Sequence, residues 1–226
     1  MSPRHHLDEA TLVSYAAGAL SPGMVAVAAT HLEACAHCRA LLASAERIGG
    51  LLLGQQQPAE PRAPSFASLR ADMLERLGAA PCASGTLGGA GAPAPQVPDT
   101  DQLPKPLQPY FGHSWRALRW RWMGPGIHMI RSAKDSGDTL IMLKIAPGKS
   151  MPVHSHGGVE LTQVLRGAYD DALGHFGPGD MADLDSDIEH QPVTSPGVPC
   201  ICVAALDAPL RFPGWLARKL QPLVGL

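Results

Sequence analysis

The sequence predicts an α + β multidomain protein, a small N-terminal helical bundle followed by an all-β barrel. Three observations predict it. Over residues 8–80 apolar side chains recur at helical spacing. From Trp115 onward, short apolar or alternating runs closed by Gly, Pro or Asp recur roughly every eight to twelve residues. Between the two lies a stretch rich in Ala, Gly and Pro with no usable period. The domains expected are therefore a helical domain over 1–80, a flexible linker over 81–108 and a β domain over 109–226.

The helical elements follow in order. Asp8 is placed to cap a helix carrying Leu12, Val13, Tyr15 and Ala16, which Gly18 ends. Ser21-Pro22 starts a second, with Ser at the cap and Pro at the first helical position, predicted to run through Arg47 and stop at Gly49-Gly50. A third amphipathic stretch carries Phe66, Leu69, Met73, Leu74 and Leu77. Strands are predicted over 139–145, 161–165, 168–173, 181–184 and 200–205.

Composition narrows the function classes. With 45% hydrophobic and 17% charged residues, the 226-residue chain reads as globular. A net charge of −2 provides no broad basic surface, so direct nucleic-acid binding is not expected. The first residues lack the apolar core of a signal peptide, and no apolar run is long enough to cross a bilayer. No membrane partner and a cytoplasmic location are the expectation. Five cysteines, two tight pairs plus Cys82 in the linker, do not form a secreted disulfide framework. A Cys-x-x-Cys pair in a reducing compartment reads first as metal-binding or redox-active.

The pair Cys35/Cys38 is preceded by His31, giving His-x3-Cys-x2-Cys. On a continuous helix these three positions fall within roughly 60° of one another and share a face. Two thiolates and one imidazole supply three of the four ligands of a tetrahedral zinc. His6 is the natural fourth, with His5 competing, and His37 is expected on the opposite, exposed side of the helix. A His followed by this helical triplet resembles the zinc-binding anti-sigma domain. Arg4-His5-His6, Tyr15-Ala16-Ala17-Gly18 and Thr30-His31-Leu32 are similar to ChrR-type anti-sigma factors in particular. The resemblance implies a zinc-stapled helical domain that clamps an extracytoplasmic-function sigma factor. The amphipathic helix faces would then be partner surfaces as well as core.

The second constellation is Gly148-x5-His154-x-His156-x3-Glu160-x6-Gly167, with His190 eleven residues after Gly179. His154 and His156 alternate on a strand and point to one face, and Glu160 returns after the Gly157-Gly158 turn. This spacing resembles the two cupin motifs, implying a double-stranded β-helix barrel with His154, His156, Glu160 and His190 at one metal. Departures are Asp185 and Asp187, where cupins carry Pro and Gly, and Thr194 for the usual Asn. Three imidazoles and a carboxylate suit Zn²⁺ or another divalent transition metal. His113, His128 and His175 lack such spacing and are expected to be structural or exposed. Cys200 and Cys202 place two sulfurs on one strand face, as core residues or as redox sensors.

ChrR-type proteins carry both halves, so the resemblance covers nearly the whole chain, including the 204–212 tract and Leu220-Gln221-Pro222. It implies an anti-sigma factor, not an enzyme. The cupin would release the sigma factor on an oxidative signal of the singlet-oxygen type, and the free protein could self-associate through exposed apolar faces. The alternative is a cupin metalloenzyme, a dioxygenase or isomerase, with an appended zinc domain.

Overall fold

The computed structural model describes residues 2–57, 65–79, 101–134 and 137–212, so Cys82, the side chain of Phe66 and the segment 213–226 lie outside the described residues. Two compact units result. Met1–Gly50 joins Asp101–Leu226 in one, and Leu51–Thr100 forms the other. The N-terminal helices thus share a unit with the barrel, whereas α4 (Ser65–Ala79) belongs to the second unit.

α1 (Glu9–Ala16) starts as predicted, with the Asp8 carboxylate accepting the Ala10 N–H at 2.8 Å. α2 (Pro22–Ala34) begins at Ser21-Pro22, but Ser21 does not cap it. Its hydroxyl donates to Asp138, and that carboxylate accepts the Met24 N–H at 3.0 Å. A Cβ on Gly23 would strike the same carboxylate, so glycine is what lets α2 seat there.

The single helix expected over 22–47 is broken in two. Cys35 is extended (φ −102°, ψ 104°), and α3 (Ala36–Gln55) starts afresh after it. The break is stabilised from both sides. The Arg39 guanidinium donates to the carbonyls of Leu32 (2.6 Å) and Glu33 (3.1 Å), and Cys35 Sγ accepts the Cys38 N–H at 3.4 Å in the manner of a helix cap. Gly49-Gly50 do not stop α3, which continues to Gln55. The penalty of about 1 kcal/mol per glycine is too small to end a helix that resumes with three leucines.

Among the described residues eleven strands follow: β1 (Arg121–Gly124), β2 (Ile127–Arg131), β3 (Thr139–Ile145), β4 (Ser155–His156), β5 (Glu160–Arg166), β6 (Tyr169–Asp171), β7 (Gly174–Phe176), β8 (Met181–Leu184), β9 (Val193–Thr194), β10 (Cys200–Leu206) and β11 (Leu210–Arg211). All pairings are antiparallel, in a six-stranded sheet ordered β1-β2-β3-β10-β5-β8, a three-stranded sheet β7-β6-β9 and the pair β11-β4. Gly167 turns the chain between β5 and β6 at φ +70°, where a Cβ would lie 2.5 Å from the Pro199 carbonyl oxygen.

The middle of the large sheet, β3, β10 and β5, is buried on both faces. Ile141, Leu143 and Ile145 of β3, with Cys200, Cys202 and Ala204 of β10, line an internal cavity. Leu140, Met142, Val203 and Ala205, of opposite parity, share one core with Met24, Val27 and Ala28 of α2. Residues 101–108, expected as the end of the linker, join this core. Leu103 and Leu107 are fully buried beside a 3₁₀ turn at Lys105–Leu107.

Candidate metal centres

The helix break brings the first cluster together. His6, from the segment before α1, meets His31 near the end of α2, Cys35 at the break and Cys38 in the first turn of α3, with ligand atoms within 4.8 Å of one another. His31 Nε2 is 3.3 Å from Cys38 Sγ, and His6 Nδ1 is 3.3 Å from Cys35 Sγ. Bonds of about 2.0–2.3 Å at tetrahedral angles would set neighbouring ligand atoms roughly 3.3–3.8 Å apart, so the donors fit a zinc-sized ion.

Electrostatics prepare the donors unequally. Burial holds the His6 and His31 imidazoles below their ordinary range, so both are neutral at pH 7 and offer lone pairs. Burial pushes the Cys38 thiol up to about 11, so a metal must displace its proton on binding.

The barrel supplies the outer layer of this cluster. His31 Nδ1 donates to the Gly179 carbonyl at 2.9 Å, which fixes the tautomer and leaves Nε2 bare. The Asp180 carboxylate accepts the backbone N–H groups of Arg4, His5 (3.1 Å) and Gly177 (2.8 Å). Met181 N–H donates to the His5 carbonyl, and Asp183 accepts the Asp8 N–H at 2.9 Å. Burial alone would raise the Asp180 carboxyl, but these N–H donors overcome it and hold the group below its ordinary value.

The second cluster lies inside the barrel. His154 and His190 face each other across a β-bridge with Nε2 atoms 3.1 Å apart, and His156 completes a buried triplet. His154 Nδ1 donates to the Pro152 carbonyl and His190 Nδ1 to the Asp171 carboxylate, both at 2.9 Å. Neutral rings held this way would present an Nε2 lone pair each to the other, an arrangement that a shared cation would relieve. His156 Nε2 is buried without a hydrogen-bond partner, a further sign that the triplet fits a metal.

Glu160 stands at the edge of this group. Its Oε2 lies 3.0 Å from His156 Nδ1, off the direction of a hydrogen bond, and its Oε1 accepts the Thr162 hydroxyl at 2.7 Å. Burial would raise its carboxyl, but the His156 ring and Thr162 hydroxyl hold it low. A carboxylate here can swing onto the metal or stay against the imidazole.

Other predicted residues fall in varied places. His5 stacks on Phe176 with ring centroids 4.0 Å apart and its Nε2 is 3.0 Å from the His175 carbonyl, away from the sulfurs. His37 is exposed, yet it is not on the far side, because the break at Cys35 turns its ring to within 4.5 Å of His6. His113 and His175 are exposed and paired with Gln108 and Asp170, while His128 is half-buried on β2. Cys200 and Cys202 are buried with their sulfurs toward the cavity, and a hydrogen bond between them holds Cys200 below and Cys202 well above the ordinary thiol value. The departures in the second motif are built in. Asp185 closes its own turn by accepting the Asp187 N–H at 2.9 Å, and the Thr194 hydroxyl donates to the Ala146 carbonyl at 2.6 Å. Sequence reasoning missed Asp171 and the anchoring role of Asp180. The signal for Asp171 was an acidic pair, Asp170-Asp171, inside the β run predicted over 168–173.

With these features in place, comparison with known proteins decides the family. The ChrR cupin-like domain family matches residues 112–208. The chain is 36% identical over 222 residues, 98% of both chains, to the anti-sigma-E factor ChrR of Cereibacter sphaeroides. The chain belongs to the ChrR family of anti-sigma factors. It is also similar to ChrR in the crystal structure of Rhodobacter sphaeroides SigE in complex with the anti-sigma ChrR, with a TM-score of 0.69 and 34% identity, covering 91% of this chain and 100% of that one. Among the described residues, no helix is long and apolar enough to cross a membrane.

Proposed function

We propose that this ChrR-family protein binds and inhibits an extracytoplasmic-function sigma factor through its helical part. His6, His31, Cys35 and Cys38 would hold Zn²⁺, and the barrel would act as the sensor that lets the partner go, on an oxidative signal of the singlet-oxygen type. The observation that carries the partner is similarity along 98% of the chain to an anti-sigma factor, joined to apolar helix surface left uncovered by the described residues. Ile48, Leu51, Leu52 and Leu53 of α3 are each more than half exposed, as are Leu69, Met73, Leu74 and Leu77 of α4. Apolar stripes of this extent favour a protein partner, or a second copy of the chain when that partner is absent.

The sensor role is supported by the Gly177–Asp180 turn. It carries the carbonyl that orients His31 and leads directly into β8, which pairs with the strand that begins at Glu160. A rearrangement at His154, His156, Glu160 and His190, holding Zn²⁺ or another divalent transition metal, would therefore reach the helical cluster through one hydrogen-bonded strand pair. A 100-fold release needs only about 2.7 kcal/mol of differential binding.

The test is co-expression of the full chain with each extracytoplasmic-function sigma factor of its own genome. Co-purification of one of them, abolished by Cys35→Ala and reduced at least tenfold by Leu52→Asp, is the expected result. Failure of every sigma factor to co-purify ends the proposal. Turnover of a small substrate that depends on Glu160 would instead favour a cupin metalloenzyme.

A further inference from the structure

His5 and His6 are neighbours in the chain with different surroundings. His6 Nδ1 lies 3.3 Å from Cys35 Sγ, whereas the His5 ring turns onto the barrel. There every group that His5 offers is taken up. Its backbone N–H donates to Asp180 at 3.1 Å, its carbonyl accepts the Met181 N–H at 3.3 Å, and its Nε2–H donates to the His175 carbonyl at 3.0 Å. Its ring stacks on Phe176, with centroids 4.0 Å and planes 22° apart, and it covers Gly174, where a Cβ would come within 3.5 Å of Cε1. Asp180 and Met181 hold only backbone and would serve any residue at this position. The ring contacts call for a flat side chain with a donor.

The stack continues inward. Phe176 lies opposite Tyr169 in the β6–β7 pair, with centroids 4.8 Å and planes 10° apart, and both rings are buried in one core with Val164, Leu184 and Cys200. Tyr169 in turn walls a cavity of about 280 Å³ that Glu160 and His190 also line. Three rings thus join the barrel interior to the residue beside His6. The inner two are fixed by strands, while His5 sits on a segment outside any helix or strand. Of the four helical-cluster donors, His6 alone comes from that segment. A ligand on a loose chain end must be ordered before it can bind, so a neighbour that orders it beforehand raises affinity without touching the metal.

We infer that His5 is a positioning residue for the helical metal centre: its stack on Phe176 holds His6 in place and ties the affinity of that centre to Tyr169 at the barrel cavity. The inference rests on the reading that His6, His31, Cys35 and Cys38 hold a metal.

In the full-length protein loaded with cobalt(II), thiolate-to-cobalt charge transfer marks the helical centre, and competition with a chromophoric chelator reads its affinity. His5→Ala, which keeps the backbone bonds to Asp180 and Met181, should lower that affinity about tenfold and leave cobalt binding by the barrel unchanged. His5→Phe, which restores the stack, should return to within about threefold of the native chain. Tyr169→Leu should weaken the helical centre about threefold in the native background and not at all in His5→Ala, where the link is already cut. In the metal-free chain, the Leu7 and Asp8 amide hydrogens, bonded to Cys38 and Asp183, should exchange at least about tenfold faster in His5→Ala. Unchanged affinity or exchange in His5→Ala, equal weakening of both centres, no recovery in His5→Phe, or additive effects of positions 5 and 169 would each overturn the inference. A native chain without the charge-transfer band would end the metal reading instead, and the exchange measurement would still decide what His5 holds.

Discussion

The two clusters share a parts list, histidines set beside acidic or sulfur donors, but they are built in opposite ways. The helical cluster collects its donors from a terminal segment, a helix end, a helix break and a helix start, pieces joined otherwise by a small apolar core and by the Arg39 hydrogen bonds at the break. The barrel cluster sits on paired strands whose backbone is fixed before any metal arrives, with His154 and His190 locked in one β-bridge. One is a staple and the other lines a cavity. A metal bound in the first would make structure, whereas one bound in the second would act within structure already made.

Removing a ligand from each is the strongest way to break this contrast. Cys35→Ser or His31→Ala should cost one metal per chain and at least about 4 kcal/mol, lowering Tm by roughly 10 °C or more. His190→Ala should also cost one metal, read by elemental analysis, but lower Tm by only about 2–6 °C. Equal losses from both substitutions would show that the barrel depends on its metal as the helices do. Acid should separate the clusters as well. Because the Cys38 thiol is raised to about 11, metal binding expels its proton, and metal retention falls as pH drops. A metal in the helical cluster, which must displace the raised Cys38 proton, should show the steeper pH dependence in a chelator challenge.

How far the clusters were legible in sequence follows from the same contrast. Both donor sets could be listed, because ligand chemistry constrains residue type and spacing tightly. The local backbone could not. Helical periodicity alone carried the prediction through Cys35, while the break depends on a side chain four residues on, Arg39, and on a sulfur acting as a cap. The union of the two halves was also hidden by the linker, although a signal existed. Residues 200–206 are apolar at both parities, which in an antiparallel sheet means that both faces are covered. The cover is α2, whose small residues Ala26 and Ala28 let it approach the sheet closely.

Smaller changes sharpen the comparison by touching only the second layer. Asp171→Asn keeps the shape at His190 but removes the carboxylate that fixes its tautomer, so barrel metal affinity should fall roughly 10–100-fold. The helical metal should stay put, as read by competition with a chromophoric chelator. Loss of both metals together would mean that the two centres are one cooperative unit.

Asp180 is the finest probe, because it belongs to the barrel and acts on the helical side. Its carboxylate is held below the ordinary value by backbone N–H groups that oppose burial. A depressed folded-state pKa contributes stability above the unfolded value, and that contribution is lost as pH falls through the folded one. Part of the shift is screened by solvent, so the gain is on the order of 1 kcal/mol, the size of an ordinary hydrogen bond to a charged group. Asp180→Asn should therefore unfold at lower urea than the native chain near pH 6. The two midpoints should converge as pH drops below about 3.8, with chelator present throughout so that metal loss does not enter. A difference that persists unchanged into acid would assign the effect to packing. Convergence would assign it to the charge, and so to the barrel's grip on the segment that carries His6.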